Sequence, residues 1–148
     1  MLPLLFALLP VAEFLHVEQS VTGLECASCA ESAPKNLKKI KGVTSATFRT
    51  EDSVAVLELA PGNTVALAEI RDAVKRMGYT PAAAKITARG ELRKSGEKWT
   101  LLVTGAADEY QLETPAGQPI LEGGSAVVDG SLADPSATLK VTAVRRGE

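Results

Sequence analysis

A chain of 148 residues has room for one ordinary domain or two small ones. Its 45% hydrophobic and 23% charged residues exclude both a chain too poor in core formers to fold and one dominated by apolar runs. With only 4% aromatic residues the core must be aliphatic, and a net charge of -2 leaves no positive excess to neutralise phosphates, which argues against a nucleic-acid partner.

Residues 1–12 carry Leu2, Leu4, Leu5, Phe6, Leu8 and Leu9 with no charge before Glu13. The run is too short to span the roughly 30 Å hydrocarbon core as a helix, and Ala12 is a small residue at a plausible cleavage position. The segment therefore reads as a signal peptide and not as a stable membrane anchor, placing the protein in the periplasm or outside the cell. A buried first strand is the alternative reading.

From Phe14 to about Lys85 the apolar period changes in the order strand, helix, strand, strand, helix, strand. Leu15, Val17 and Val21 alternate as one buried face of a strand, with His16 on the opposite face. Leu37 and Ile40, with Ala33 a turn earlier, make a helical stripe that closes on Lys38, Lys39 and Lys41 before Gly42. Pro34 is tolerated only near a helix start, so the regular helix is expected to begin near Ser32, with Ser32 as its cap and Cys29 in a loop. Val43 to Thr50 and Ser53 to Leu59 read as a hairpin turning at Glu51-Asp52. Asn63 or Thr64 is positioned to cap a second helix, whose stripe is Leu67, Ile70, Val74 and Met77 and whose stop is Gly78. Tyr79 to Ile86 supplies the last strand of this unit.

Beyond Lys85 the helical period disappears. Strand signals recur at Ile86 to Leu92, Trp99 to Gly105, Tyr110 to Leu112, Ala126 to Val128 and Leu139 to Val144. Short strands with turn residues between them suggest a small closed barrel of OB type, because closure removes exposed edges. The expected fold class is α+β: a ferredoxin-like βαββαβ domain over residues 13–85, then an all-β barrel over 86–148. No Gly-Ser linker separates them, so the last strand of the first unit should run straight into the barrel. Trp99 and Tyr110 are expected in the barrel core or at its rim.

The two cysteines of the chain, Cys26 and Cys29, lie in the run Gly23-Leu24-Glu25-Cys26-Ala27-Ser28-Cys29, at the first strand-to-helix turn. A disulfide across two intervening residues closes too short a loop to restrain the unfolded chain much. Metal binding or thiol exchange remains, both of which use vicinal thiols of lowered pKa. Sulfur-only ligation selects Cu(I) or another soft ion over magnesium or calcium. Zn(II) is less expected, since a structural zinc site needs four ligands and the chain has a single histidine besides.

The element order, with Gly-x-x-Cys-x-x-Cys at the first turn, resembles the heavy-metal-associated domain family over about half of the chain. Val21, Gly42-Val43 and Gly78-Tyr79 also stand where family members carry such residues. The family includes copper chaperones, periplasmic mercury-binding proteins and amino-terminal modules of metal-pumping ATPases. The resemblance implies that Cys26 and Cys29 bind Cu(I) or Hg(II) and exchange it with a metal-donor or metal-acceptor protein, such as a membrane metal transporter. It further implies that Gly23 and Leu24 support the loop and that Tyr79 approaches it without being a ligand. Leu24 replaces the family's usual methionine, a swap that conserves volume.

A thioredoxin-like exchange site is the weaker alternative, since such chains place a longer helix after the motif and then a cis-proline strand. The other competing reading is a heavy-metal-associated fold that no longer binds metal and serves as an interaction scaffold. The lysines Lys35, Lys38, Lys39 and Lys41 suit either a docking face for an acidic partner or an ordinary solvated helix face. No nucleophile-base pair, carboxylate constellation or phosphate loop accompanies the cysteines, so enzymatic activity is not expected.

Overall fold

The computed structural model describes residues 13–23, 27–95, 98–103, 108–113, 125–133 and 138–146. The proposed signal peptide, residues 1–12, lies outside them. The chain runs β1 (Glu13–Thr22), α1 (Ala27–Lys38), β2 (Val43–Arg49), β3 (Val54–Leu59), α2 (Leu67–Arg76) and β4 (Thr80–Ser95), then β5 (Lys98–Val103), β6 (Asp108–Glu113), β7 (Ser125–Leu132) and β8 (Thr138–Arg146). Among the described residues no helix is long and apolar enough to cross a membrane.

The four strands among the first six elements form an antiparallel sheet in the order β2-β3-β1-β4. Val17 and Val21 of β1, Leu57 and Leu59 of β3 and Ile86 of β4 share one buried cluster with Ala33 and Leu37 of α1 and Leu67, Ile70 and Val74 of α2. Burying each such aliphatic side chain contributes about 1.5–3 kcal/mol, which is the principal force holding both helices to the sheet.

Leu15 is only half-buried and Phe14 takes the inward position, because β1 shifts register against β4 between Phe14 and His16. Such an irregularity reverses the alternation, and it lets the larger Phe14 ring meet Tyr110 of β6 edge-on, centroids 6.3 Å apart.

α1 starts at Ala27 rather than near Ser32, so Cys29 sits in its first turn and Pro34 inside it. Ser32 caps nothing; its hydroxyl donates back to the Cys29 carbonyl at 3.3 Å. The stripe of Ala33 and Leu37, extended by half-buried Cys29, Ala30 and Ile40, gains more by packing as a helix than Pro34 takes away through its missing amide.

Asn63 does not cap α2, whose N-cap is Ala66 with no side-chain bond. Its side chain accepts from the Val65 amide and donates to the carbonyls of Phe14 and Ala60, at 2.8 to 3.0 Å. Asn63 is therefore spent on fastening the turn before the helix to β1.

The remaining strands close a barrel in the cyclic order β4-β5-β6-β8-β7-β4, with β6 and β8 the parallel pair and all others antiparallel. β4 runs unbroken across residues 85 and 86 and belongs to both units. Residues Ala84 to Arg89 pair with β7 while their other edge pairs with β1, and Glu91 pairs with β7 and β5 at once. One edge of β4 is thus divided between β1 and β5, and the opposite edge is covered by β7 from Ala84 to Glu91. Gly90 marks the division: a Cβ there would lie 2.6 Å from the Leu102 carbonyl oxygen, so the corner accepts only glycine.

Candidate metal centre

The site is built where β1 and β4 reach the turn that carries the cysteines. Near this end Gln19 pairs with Ala84 but Val21 pairs with Pro81, so Ser20 opposes two residues, Ala82 and Ala83. Pro81 has no amide to donate, which suits this irregular position. Beyond it the strands re-pair through Val21-Pro81 and Thr22-Thr80. The Thr22 hydroxyl donates to the Thr80 carbonyl at 3.2 Å, and the Val21 amide donates to Ser53 in the β2–β3 turn at 2.9 Å.

Gly23 follows with φ +92°, a left-handed conformation that disfavours side chains. A Cβ built on Gly23 would lie 3.9 Å from the Tyr79 ring. The structure therefore brings together two site residues that are far apart in sequence, Gly23 and Tyr79. Leu24 and Cys26 lie outside the described residues. Cys29 is half-buried in the first turn of α1 and rests against the core, where the positive end of the helix dipole favours a thiolate. In this structure Cys29 is disulfide-bonded, so its sulfur becomes a metal donor only after reduction.

No group of three or more histidine, cysteine or carboxylate side chains is placed to hold a metal among the described residues. His16 stands on the outer face, hydrogen-bonded to Glu58 and 3.4 Å from Glu18, away from the cysteine turn. Lys35, Lys38, Lys39 and Lys41 are all exposed.

A polar node lies behind the turn. Gln19 is fully buried and Arg71 is 7% exposed. The Arg71 guanidinium donates to Gln19 Oε1 at 3.1 Å, to the Ala82 carbonyl at 3.3 Å and to the Leu132 carbonyl at 3.0 Å. Gln19 Nε2 in turn donates to the carbonyls of Ser20 and Ala82 at 2.9 and 2.8 Å. A sequence signal exists for both residues: Gln19 has the inward parity of Val17 and Val21, and Arg71 lies one turn after Leu67 on the apolar stripe. Polar groups at core positions require partners.

Comparison with known proteins bears on this half of the chain. The heavy-metal-associated domain family matches residues 19–80, less than half of the full length. No curated protein matches the chain. Among solved structures, a CopZ metallochaperone is 27% identical over 45% of this chain and 97% of its own, with a TM-score of 0.42. The N-terminal domain of a potential copper-translocating P-type ATPase from Bacillus subtilis, in its Cu(I)-loaded state, is 28% identical over 46% of this chain and 84% of its own, also with a TM-score of 0.42. A copper binding domain from another P-type ATPase is 26% identical over 50% and 92%, with a TM-score of 0.40. Residues 19–80 thus match the heavy-metal-associated domain, the part of the chain that carries both cysteines.

Proposed function

We propose that the protein captures a soft metal ion through Cys26 and Cys29 and passes it to a partner. The observation that carries this reading is the heavy-metal-associated match over residues 19–80, with the chain's two cysteines falling inside it at Cys-x-x-Cys spacing. Two thiolates favour Cu(I), then Hg(II), over harder ions. Two-coordinate binding leaves the ion open to attack by cysteines of a donor, an acceptor or a membrane transporter, so the same pair serves for loading and release. Tyr79, whose ring lies beside Gly23, shields the loop without being a ligand. The leucine-rich run of residues 1–12 supports export and a periplasmic or secreted location. The strand order of the barrel, with β6 and β8 its one parallel pair, supports an OB-type unit that presents the ion domain to its partner.

The test is an anaerobic titration of the fully reduced chain with Cu(I) against a competing chelator, repeated with Hg(II) and Zn(II). One equivalent bound tightly, and lost in the Cys26→Ser/Cys29→Ser double variant, is the expected result. Binding that survives the double substitution, or no binding by the wild type, would leave an interaction scaffold as the better description.

A further inference from the structure

We infer that Arg71 is a positioning residue that sets how β1 and β4 deliver the cysteine turn and that ties this geometry to the barrel. The inference rests on the metal-carrier reading for its functional consequence, though its structural part stands without it.

The irregularity opposite Ser20 lies immediately behind the two strand ends that lead to the site, Val21 and Thr22 of β1 before Gly23 and Thr80 and Pro81 of β4 after Tyr79. Where two residues face one, the ladder is interrupted and buried carbonyls need other donors. Here those donors are side chains: Gln19 Nε2 reaches the Ser20 and Ala82 carbonyls, and Arg71 reaches the Ala82 carbonyl while holding Gln19 Oε1. The bend that aims the site is therefore fixed by α2 and not by the sheet alone.

The same guanidinium nitrogen that meets Ala82 also meets the carbonyl of Leu132, the last residue of β7. One buried cation thus spans the bend, the helix and the barrel. A guanidinium suits this task because its donors diverge in a fixed plane, whereas an ammonium is a single point of charge. Residues that orient a metal-binding loop without touching the ion change affinity by about tenfold or more when removed.

The experiment compares the full-length reduced wild type with Arg71→Met, Arg71→Lys and Leu139→Ala. The last substitution cuts a cavity in the barrel core, where Leu139 is fully buried, and leaves the Arg71 bonds alone. Three quantities are read: Cu(I) affinity by chelator competition, amide hydrogen exchange at Val21, Thr22 and Gly23 in the metal-free protein, and the thermal midpoint. Arg71→Met should weaken Cu(I) binding about tenfold and speed exchange at those three amides, with Arg71→Lys recovering part of both. Leu139→Ala should lower the thermal midpoint while leaving affinity and local exchange as in the wild type. Unchanged affinity and exchange in Arg71→Met would overturn the inference, as would a Leu139→Ala protein that reproduces both changes. If Arg71→Met does not fold, Arg71→Lys carries the same comparison. A wild type that binds no Cu(I) sinks the metal reading instead, and the exchange data alone then decide the role of Arg71.

Discussion

Arg49 holds together the outer face of the first sheet. Its guanidinium donates to both carboxylate oxygens of Asp52, at 2.7 and 2.9 Å, and to Glu18 Oε1 at 3.0 Å. Burial pushes the Glu18 carboxyl up, but hydrogen bonds from Arg49 and His16 outweigh it and hold the group below its ordinary value. The Arg49 hydrogen bond holds Asp52 below its ordinary value as well. A carboxylate depressed in the folded state stabilises the protein above its unfolded pKa of about 4, and that stabilisation is lost as pH falls through the folded value. Arg49 is 40% exposed, so the contribution is that of a surface network and is small. Arg49→Met should therefore be slightly less stable than wild type at pH 7, and the difference should shrink to nothing as pH falls well below 4. Urea unfolding at a series of pH values measures it, and parallel curves down to the lowest pH would show that the network contributes nothing to acid sensitivity.

Among the elements, α1 presents the sharpest conflict between local rule and outcome. Pro34 removes an amide donor from the helix interior, at a cost of about 3 kcal/mol, yet the helix continues through it because Ala33 and Leu37 are buried on the same side. Pro34→Ala restores the donor, while the looser unfolded chain gives back up to about 1 kcal/mol, so a net gain of about 1–2 kcal/mol in unfolding free energy is expected from denaturant titration. A loss would mean that the proline ring itself packs usefully. The same contest explains what was legible in the sequence. The order of elements, the β2–β3 hairpin, the α2 stripe and the five barrel strands follow from apolar period alone. The start of α1 does not, because tertiary burial overrides a helix breaker. Nor does the inward turn of Phe14, because the shift between Phe14 and His16 breaks the alternation between Phe14 and the inward Val17 and Val21. At the candidate site the spacing of Cys26 and Cys29 and the approach of Tyr79 to Gly23 could be read from motif and resemblance. The Gln19-Arg71 node was hidden because its partners are backbone carbonyls, on which residue types leave no mark.

At the scale of the whole molecule the two units are joined by more than a shared chain. β4 is a strand of both, β7 covers the edge of β4 that the first sheet leaves open, and Phe14 of β1 packs on Tyr110 of β6. Leu132 and Val128 of β7 belong to the same buried cluster as Ile70 and Leu57. Unfolding the barrel alone would expose a strand edge, strip a carbonyl from buried Arg71 and open the core beside Phe14, so partial unfolding carries nearly the full penalty of global unfolding. The chain itself supplies separate probes. Both helices among the described residues lie in the first unit, and the single tryptophan, Trp99, lies on β5. Helical circular dichroism therefore follows the first unit and tryptophan fluorescence follows the barrel. In urea the two signals should share one midpoint and one slope. Phe14→Ala, which empties the joint between the units, should lower both midpoints together, with a loss of about 3–5 kcal/mol. Two separated transitions in the wild type, or a shift in only one signal in the variant, would mean that the barrel is a passenger on an independently stable domain. A common transition instead means that any ion stabilising residues 19–80 stabilises the barrel by the same free energy.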